Sequence, residues 1–285
     1  MEQKYMNKIA TRGLASSLLA LSLSAQAVDL TPETMLDINL GIASDWRVGG
    51  LSLNMGGAPV YQGNATLVHK LSGLYLGAYA VSVDMDTEAN REMGYYVGIA
   101  RPITEDTRFS LTYIRYEYPG DSWINFDEVI GTLSYRQATL GVKYAWDLQT
   151  PKPIEDANEE IAAAHAAQAA GQIPPWVQLP GLIPERDPHR TIGWAEYDFY
   201  LPYATKLNVR YGHTWTPDEN AWRSASGKTR SGYSDWGVSL TKRMWDIEWK
   251  AAYIDTDLSE AECQNNFGKG GDCQATVVFS AMKNF

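Results

Sequence analysis

The chain has 285 residues, among them ten Trp, seventeen Tyr and twenty-four Gly, with a mean hydropathy of -0.31. A formal charge of -10 at neutral pH argues against nucleic acid as a partner. Past residue 27 no run is long and apolar enough for a membrane helix, yet aromatics are abundant, so a membrane reading requires strands.

The N-terminus reads as an export signal. Lys4, Lys8 and Arg12 precede a short apolar run from Leu14 to Leu23, and Ala25-Gln26-Ala27 fits a small-x-small cleavage site. The expected division is a cleaved signal peptide over 1–27 and a single domain over 28–285. Losing Glu2 and the three bases moves the formal charge from -10 to about -12. No Cys follows the run, which argues against a lipoprotein anchor.

Beyond it the chain alternates with a period of two, the signature of strands. Leu36, Ile38, Leu40 and Ile42 share one face, opposite Asp37 and Asn39. The pattern recurs over 138–148, 207–215 and 245–253, with Trp146, Trp215, Trp245 and Trp249 on the greasy face. Weaker strands are placed near 57–69, 73–83, 92–101, 107–118, 125–135, 191–200 and 232–243, and a last one ends at Phe285. The total is twelve. Short turns alternate strictly with longer connections, which is the asymmetry of an outer-membrane barrel and puts both termini on the periplasmic side. The predicted fold class is therefore all-β: an antiparallel transmembrane barrel of about twelve strands. Phe285 closes the last strand with a terminal aromatic, which looks like the assembly signal of bacterial outer-membrane proteins.

One connection is out of scale. Residues 149–190 hold an Ala/Glu-rich stretch from Ile154 to Ala170 between prolines, which reads as a surface helix with Pro-rich arms in a long extracellular loop. Cys263 and Cys273, the only cysteines, lie in one Gly/Asn-rich loop. In an oxidising compartment a disulfide closing it is expected, worth about 3 kcal/mol. With no His beside them, a metal site is disfavoured.

Ile38-Asn39-Leu40-Gly41, Ser44-Asp45-Trp46-Arg47, Gly50-Leu51-Ser52 and Tyr75-Leu76-Gly77 resemble the TorF-type porins of proteobacteria, as do Tyr116-Glu117-Tyr118-Pro119-Gly120 and Gly131-Thr132-Leu133-Ser134-Tyr135. The resemblance covers the first five or so strands. It implies an outer-membrane barrel with a pore role and brings no catalytic residues. Two departures stand out: Gly49 occupies a position where that family tends to carry a second Arg, and 149–190 looks like an addition.

Strand parity turns Asp37, Glu128, Glu196, Asp198, Asp235 and Glu248 inward, against Arg108, Lys143, Arg210 and Lys250. A hydrated channel lined by these charges would tune ion preference; mutually paired charges filling a narrow lumen would close it. The expected function is a passive pore for small hydrophilic solutes or ions with a weak cation preference. The alternatives are a closed structural or surface-interaction barrel and a lipid-modifying barrel enzyme. Partners would be outer-membrane lipid, the assembly machinery and the solutes. No cofactor is implied. For an enzyme, none of His69, His165, His189 and His213 stands beside a Ser in a recognisable motif. Asp84, Asp86 and Glu88 read as solvated loop acids, and Trp222 to Tyr233 as an ordinary solvated loop.

Overall fold

A computed structural model describes residues 27–285 except 56, 86, 147, 149–151, 183–188, 220 and 268–272. The proposed signal peptide thus lies almost wholly outside the described residues. Twelve antiparallel strands form one sheet that closes on itself. In chain order they are β1 (Thr34–Ala43), β2 (Val60–His69), β3 (Leu74–Ser82), β4 (Arg91–Pro102), β5 (Thr107–Glu117), β6 (Phe126–Tyr135), β7 (Ala138–Trp146), β8 (Arg190–Leu201), β9 (Thr205–Trp215), β10 (Gly232–Met244), β11 (Ile247–Thr256) and β12 (Thr276–Asn284). Each pairs with its chain neighbours, and β12 pairs with β1.

The closing seam is short. It runs from Ser280 opposite Ala43 to Asn284 opposite Asn39, and the Phe285 amide extends it by donating to the Ile38 carbonyl at 2.8 Å. The edge of β1 below it is covered by the two-residue strand Val28–Asp29, which pairs with Met35 and Leu36. Closure pairs the two end strands with each other, as spanning hydrocarbon requires.

The alternation sorts side chains as its period demands. Leu40, Ile42, Leu76, Val97, Leu111, Leu140, Val142, Val209, Leu240 and Phe279 lie on the outside, apolar and exposed. A closed barrel with such an exterior is an outer-membrane barrel. The short turns at one end are tight. Arg136, Tyr203, Ala204, Trp245 and Asp246 all adopt positive φ there. Trp245 therefore leaves the strand in which the alternation placed it. With Asp246 it forms the turn before β11, and its side chain is exposed beyond the lipid-facing row.

Helix α1 (Lys152–Ala169) occupies the long loop, as its composition predicts. Gly171, with φ 77°, ends the helical path, and the following arm folds back: Gln168 Nε2 donates to the carbonyls of Pro174 at 3.0 Å and Val177 at 2.8 Å. Helix α2 (Glu260–Phe267) lies in the cysteine-bearing loop, and the Cys263–Cys273 disulfide is present.

Candidate functional site

The barrel interior is divided lengthwise into a filled half and an open half. Along β3 to β8 the lumen is packed with Tyr75, Tyr79, Tyr96, Ile114, Tyr116, Phe126, Ile130 and Trp194. Each tyrosine is anchored at its hydroxyl. Tyr75 meets Thr112 and Tyr96 meets Thr66, both at 2.6 Å. Tyr79 and Tyr118 both donate to the Glu92 carboxylate at 2.5 Å. Tyr116 donates to Glu128 at 2.9 Å, and Lys143 lies 3.6 Å from the same Glu128 oxygen. Arg190 reaches the other oxygen at 3.9 Å while covering the Phe126 ring. Here the inward face is aromatic, and Glu92, Glu128 and Lys143 are partnered and buried, with Arg190 partly exposed.

The open half lies along β8 to β12 and on to β2. It holds about 250 Å³ of water-accessible space, bordered by Glu196, Lys206, Asn208, Arg210, Asp235, Glu248 and Lys250. Arg210 bonds Asp235 directly along the wall. Gly212 makes room for that pair, since a Cβ there would strike both Asp235 Oδ2 and the Arg210 guanidinium. Asp198 accepts from Asn208 at 2.8 Å and lies 3.5 Å from Lys206 Nζ. Lys250 is exposed into the space.

The upper lumen is crossed by a small hairpin, Arg47–Val48 paired with Leu51–Ser52. It starts from the end of β1 and reaches the far wall. Its tip, Gly49 and Gly50, is buried against Tyr233, Thr214 and Ile192 on one side and Thr256 and Asp235 on the other. Both glycines have positive φ, 57° and 82°, as a two-residue hairpin turn requires. A side chain at Gly49 has little room: a Cβ there would sit 2.9 Å from the Tyr233 hydroxyl. Asp45 organises the base, accepting from Arg47 Nε at 2.6 Å, Ser52 Oγ at 2.6 Å and the Trp46 amide at 2.8 Å. The other margin is tied to the loop after β3 by the Met55 amide on the Asp84 carbonyl at 2.7 Å.

Of the residues the sequence turns inward, Glu196, Arg210, Asp235, Glu248 and Lys250 border the open space, and Asp198 lies beside it. Glu128 and Lys143 sit in the filled half, 2 % and 3 % exposed at the side chain. Asp37 is buried next to Asn39, whose amide donates to it at 3.2 Å. Lys206 and Arg190 stand one residue before the strands the alternation predicts, and Glu92 opens a weakly patterned one. The same parity holds for all three. The Gly-Gly pair between Val48 and Leu51 was the legible signal for the hairpin.

The segment Trp222 to Tyr233 is solvated along its middle, where Arg223 and Ala225 to Thr229 are exposed, but its two aromatic ends are not. Trp222 and Tyr233 are buried in a cluster with Leu258 and the Cys263–Cys273 bridge. His213 lies 2.9 Å from Ser234 Oγ, and His69 lies 2.7 Å from Ser72 Oγ within a turn. Neither Ser–His pair borders the lumen space, and the Ser234 amide is already taken by Asp257 at 2.9 Å. Asp86 is outside the described residues, so the loop acids 84, 86 and 88 are placed only in part. Among the described residues no group of three His, Cys, Asp or Glu could hold a metal.

A family model described as a bacterial protein of unknown function (Gcw_chp) matches residues 27–150, which include the hairpin. No curated protein matches the sequence. Among solved structures the chain is similar to the NanC porin, at 12 % identity and TM-score 0.47, over 87 % of this chain and 97 % of that one. It is similar to the KdgM porin at 7 % identity and TM-score 0.45, over 87 % and 99 %. The outer-membrane protein OprD from Pseudomonas aeruginosa is similar at 10 % identity and TM-score 0.39, over 91 % and 66 %.

Proposed function

We propose that the mature chain is a narrow passive pore of the TorF type for small hydrophilic solutes or ions. The observation that carries this reading is the water-accessible space along one side of the lumen, beneath a hairpin that narrows the mouth. Twelve strands fall between barrels filled by side chains and barrels with a wide aqueous channel. Filling half of such a lumen with aromatics leaves a passage on the scale of small solutes. The charges bordering it number four acids, Asp45, Glu196, Asp235 and Glu248, and four bases, Arg47, Lys206, Arg210 and Lys250. The balance makes selectivity weak. The acidic chain as a whole tilts it toward cations. In this reading the residues up to Ala27 are removed on export, and the exposed Phe285 at the seam is the handle for the assembly machinery.

The test is planar-bilayer recording of refolded 28–285. Discrete conductance steps support the pore. Silence at every voltage favours a closed structural barrel, and lipid hydrolysis by the same sample would instead favour an enzyme.

A further inference from the structure

We infer that Arg47 is the positioning residue that fixes the bore of the pore, by tying the lumen hairpin to the disulfide-closed loop; this rests on the pore reading above. The Arg47 side chain is 6 % exposed and serves three acceptors. Two belong to the hairpin itself: Asp45 Oδ2 at 2.6 Å and the Gly50 carbonyl at 2.9 Å. The third is the carbonyl of Gln274 at 3.0 Å, at the far end of the chain and one residue past Cys273. Guanidinium geometry suits this task, because a rigid fork can hold several acceptors at once where a lysine offers a single point.

The acceptor side is itself held. The Cys273 carbonyl accepts from Thr256 Oγ1 at 2.7 Å, and Cys273 is bonded to Cys263 in α2. Arg230 clasps the same loop, reaching Glu262 at 2.8 Å and Asp257 at 3.0 Å. Leu51 of the hairpin packs on the cluster formed by Trp222, Tyr233, Leu258 and the two cysteines. The hairpin tip has only glycines with which to grip the wall, so on the side facing this loop its position across the lumen depends on this lateral hold, as on the other it depends on the tie to Asp84. Thr256 and Asp235, which the tip touches, also border or adjoin the open space. A hairpin released from Gln274 would lift from them and widen the passage.

The experiment compares folded wild-type protein, Arg47→Ala, Arg47→Lys, and wild type reduced after folding. Hydrogen exchange is read at the hairpin amides, such as Leu53, which donates to the Trp46 carbonyl at 2.8 Å. Arg47→Ala should exchange at least on the order of tenfold faster there, since it loses three charge-assisted hydrogen bonds and one alone accounts for about that factor. Arg47→Lys should fall between, and reduction of Cys263–Cys273 should speed the same amides. In bilayers, Arg47→Ala should give larger steps and pass larger neutral polymers, with unchanged heat-modifiable mobility of the barrel. Unchanged hairpin exchange in Arg47→Ala overturns the inference. Should that variant fail to assemble, unchanged exchange after reduction of the folded wild type overturns it. If no sample conducts, the pore reading falls, while the exchange data still decide whether Arg47 holds the hairpin.

Discussion

Tyr79 and Gly94 face each other across β3 and β4, and the tyrosine ring occupies the space that a Cβ at Gly94 would need. The same pairing of ring and glycine recurs at Tyr96 with Gly77, Tyr75 with Gly98 and Trp194 with Gly141, each directly cross-strand. Rings lying on glycines cover bare backbone and set the strand register. They lie along one side of the wall and leave the other side free for water. Substituting Gly94→Ala should therefore force Tyr79 off its seat and away from Glu92. Overpacking of this kind costs about 1–3 kcal/mol. Gly131→Ala, where the nearest atom would be Val142 Cγ1 at 3.7 Å, should be close to neutral. Urea titration followed by heat-modifiable gel mobility measures both. Equal midpoints for the two variants would rule the ring-on-glycine account out.

The same packing refines what a substitution on the barrel wall should do. Val142 on β7 and Val209 on β9 face lipid, so Arg at either should hinder assembly by about 2–4 kcal/mol if it lies near the bilayer midplane. Asn208 faces the open space and should accept Arg with little loss. Gly141 also faces inward but lies under the Trp194 ring, so Arg there should be as harmful as on the lipid face. The measurement is the folded fraction on cold gels after refolding into detergent. Tolerance that followed parity alone, with Gly141→Arg as mild as Asn208→Arg, would contradict the filled half.

Twelve strands and their faces were legible because a period of two is visible wherever one side meets lipid. Leu36 to Ile42 and Ala138 to Trp146 alternate in the chain as they do in the barrel. What parity does not reveal is how an inward residue spends its volume. Tyr75, Tyr79 and Tyr96 read equally well as girdle aromatics or as lumen filler, and only the opposing glycines decide. Sharp boundaries were the other gap. Lys206 has the parity of Arg210, but it precedes the clean alternation that begins at Leu207, so the pattern does not mark it as one of the cations beside the open space. The Gly-Gly turn is legible, but the seat of the hairpin is not, because its contacts are distant: Gly49 and Gly50 meet residues on β8 to β11 that nothing local predicts.

The loop cluster that holds the hairpin should loosen in acid. Burial pushes the Glu262 carboxyl up, but the Ser259 hydroxyl and amide and the Arg230 guanidinium outweigh it and hold it below the usual carboxylate range. A carboxyl depressed in the folded state contributes stability above its unfolded value, near 4.3 for a free Glu (approximately). That contribution is lost as pH falls through the lower folded value. Hydrogen exchange across 257–264 should therefore quicken as pH drops below about 4, after correction for the intrinsic rate. In Glu262→Gln the loop should be looser already at neutral pH and largely indifferent to acid. Acid sensitivity as strong as in wild type would mean that another carboxylate holds the loop.

Selectivity is where the charge inventory of the open half can be tested one residue at a time. Glu248 and Lys250 project from β11 into the same space, two residues apart, and neither is hydrogen-bonded to the wall in the way Arg210 and Asp235 are bonded to each other. A directly bonded pair cancels much of its own field, so reversing Glu248 or Lys250, which act on each other only through space, should act more strongly on passing ions. Lys250→Glu should strengthen cation preference, and Glu248→Lys should weaken or invert it. Asp235→Lys is a different case. It sets two cations side by side at the hairpin tip, so it should lower the amount of folded barrel as well as shift the preference toward anions. Reversal potentials across a salt gradient read the sign of each change. Because the Debye length shrinks from about 10 Å at 0.1 M to about 3 Å at 1 M salt, each shift should fade at high ionic strength. Reversal potentials that ignore Glu248 and Lys250 alike would place the ion path away from the β8-to-β12 wall and overturn the assignment of these residues to it.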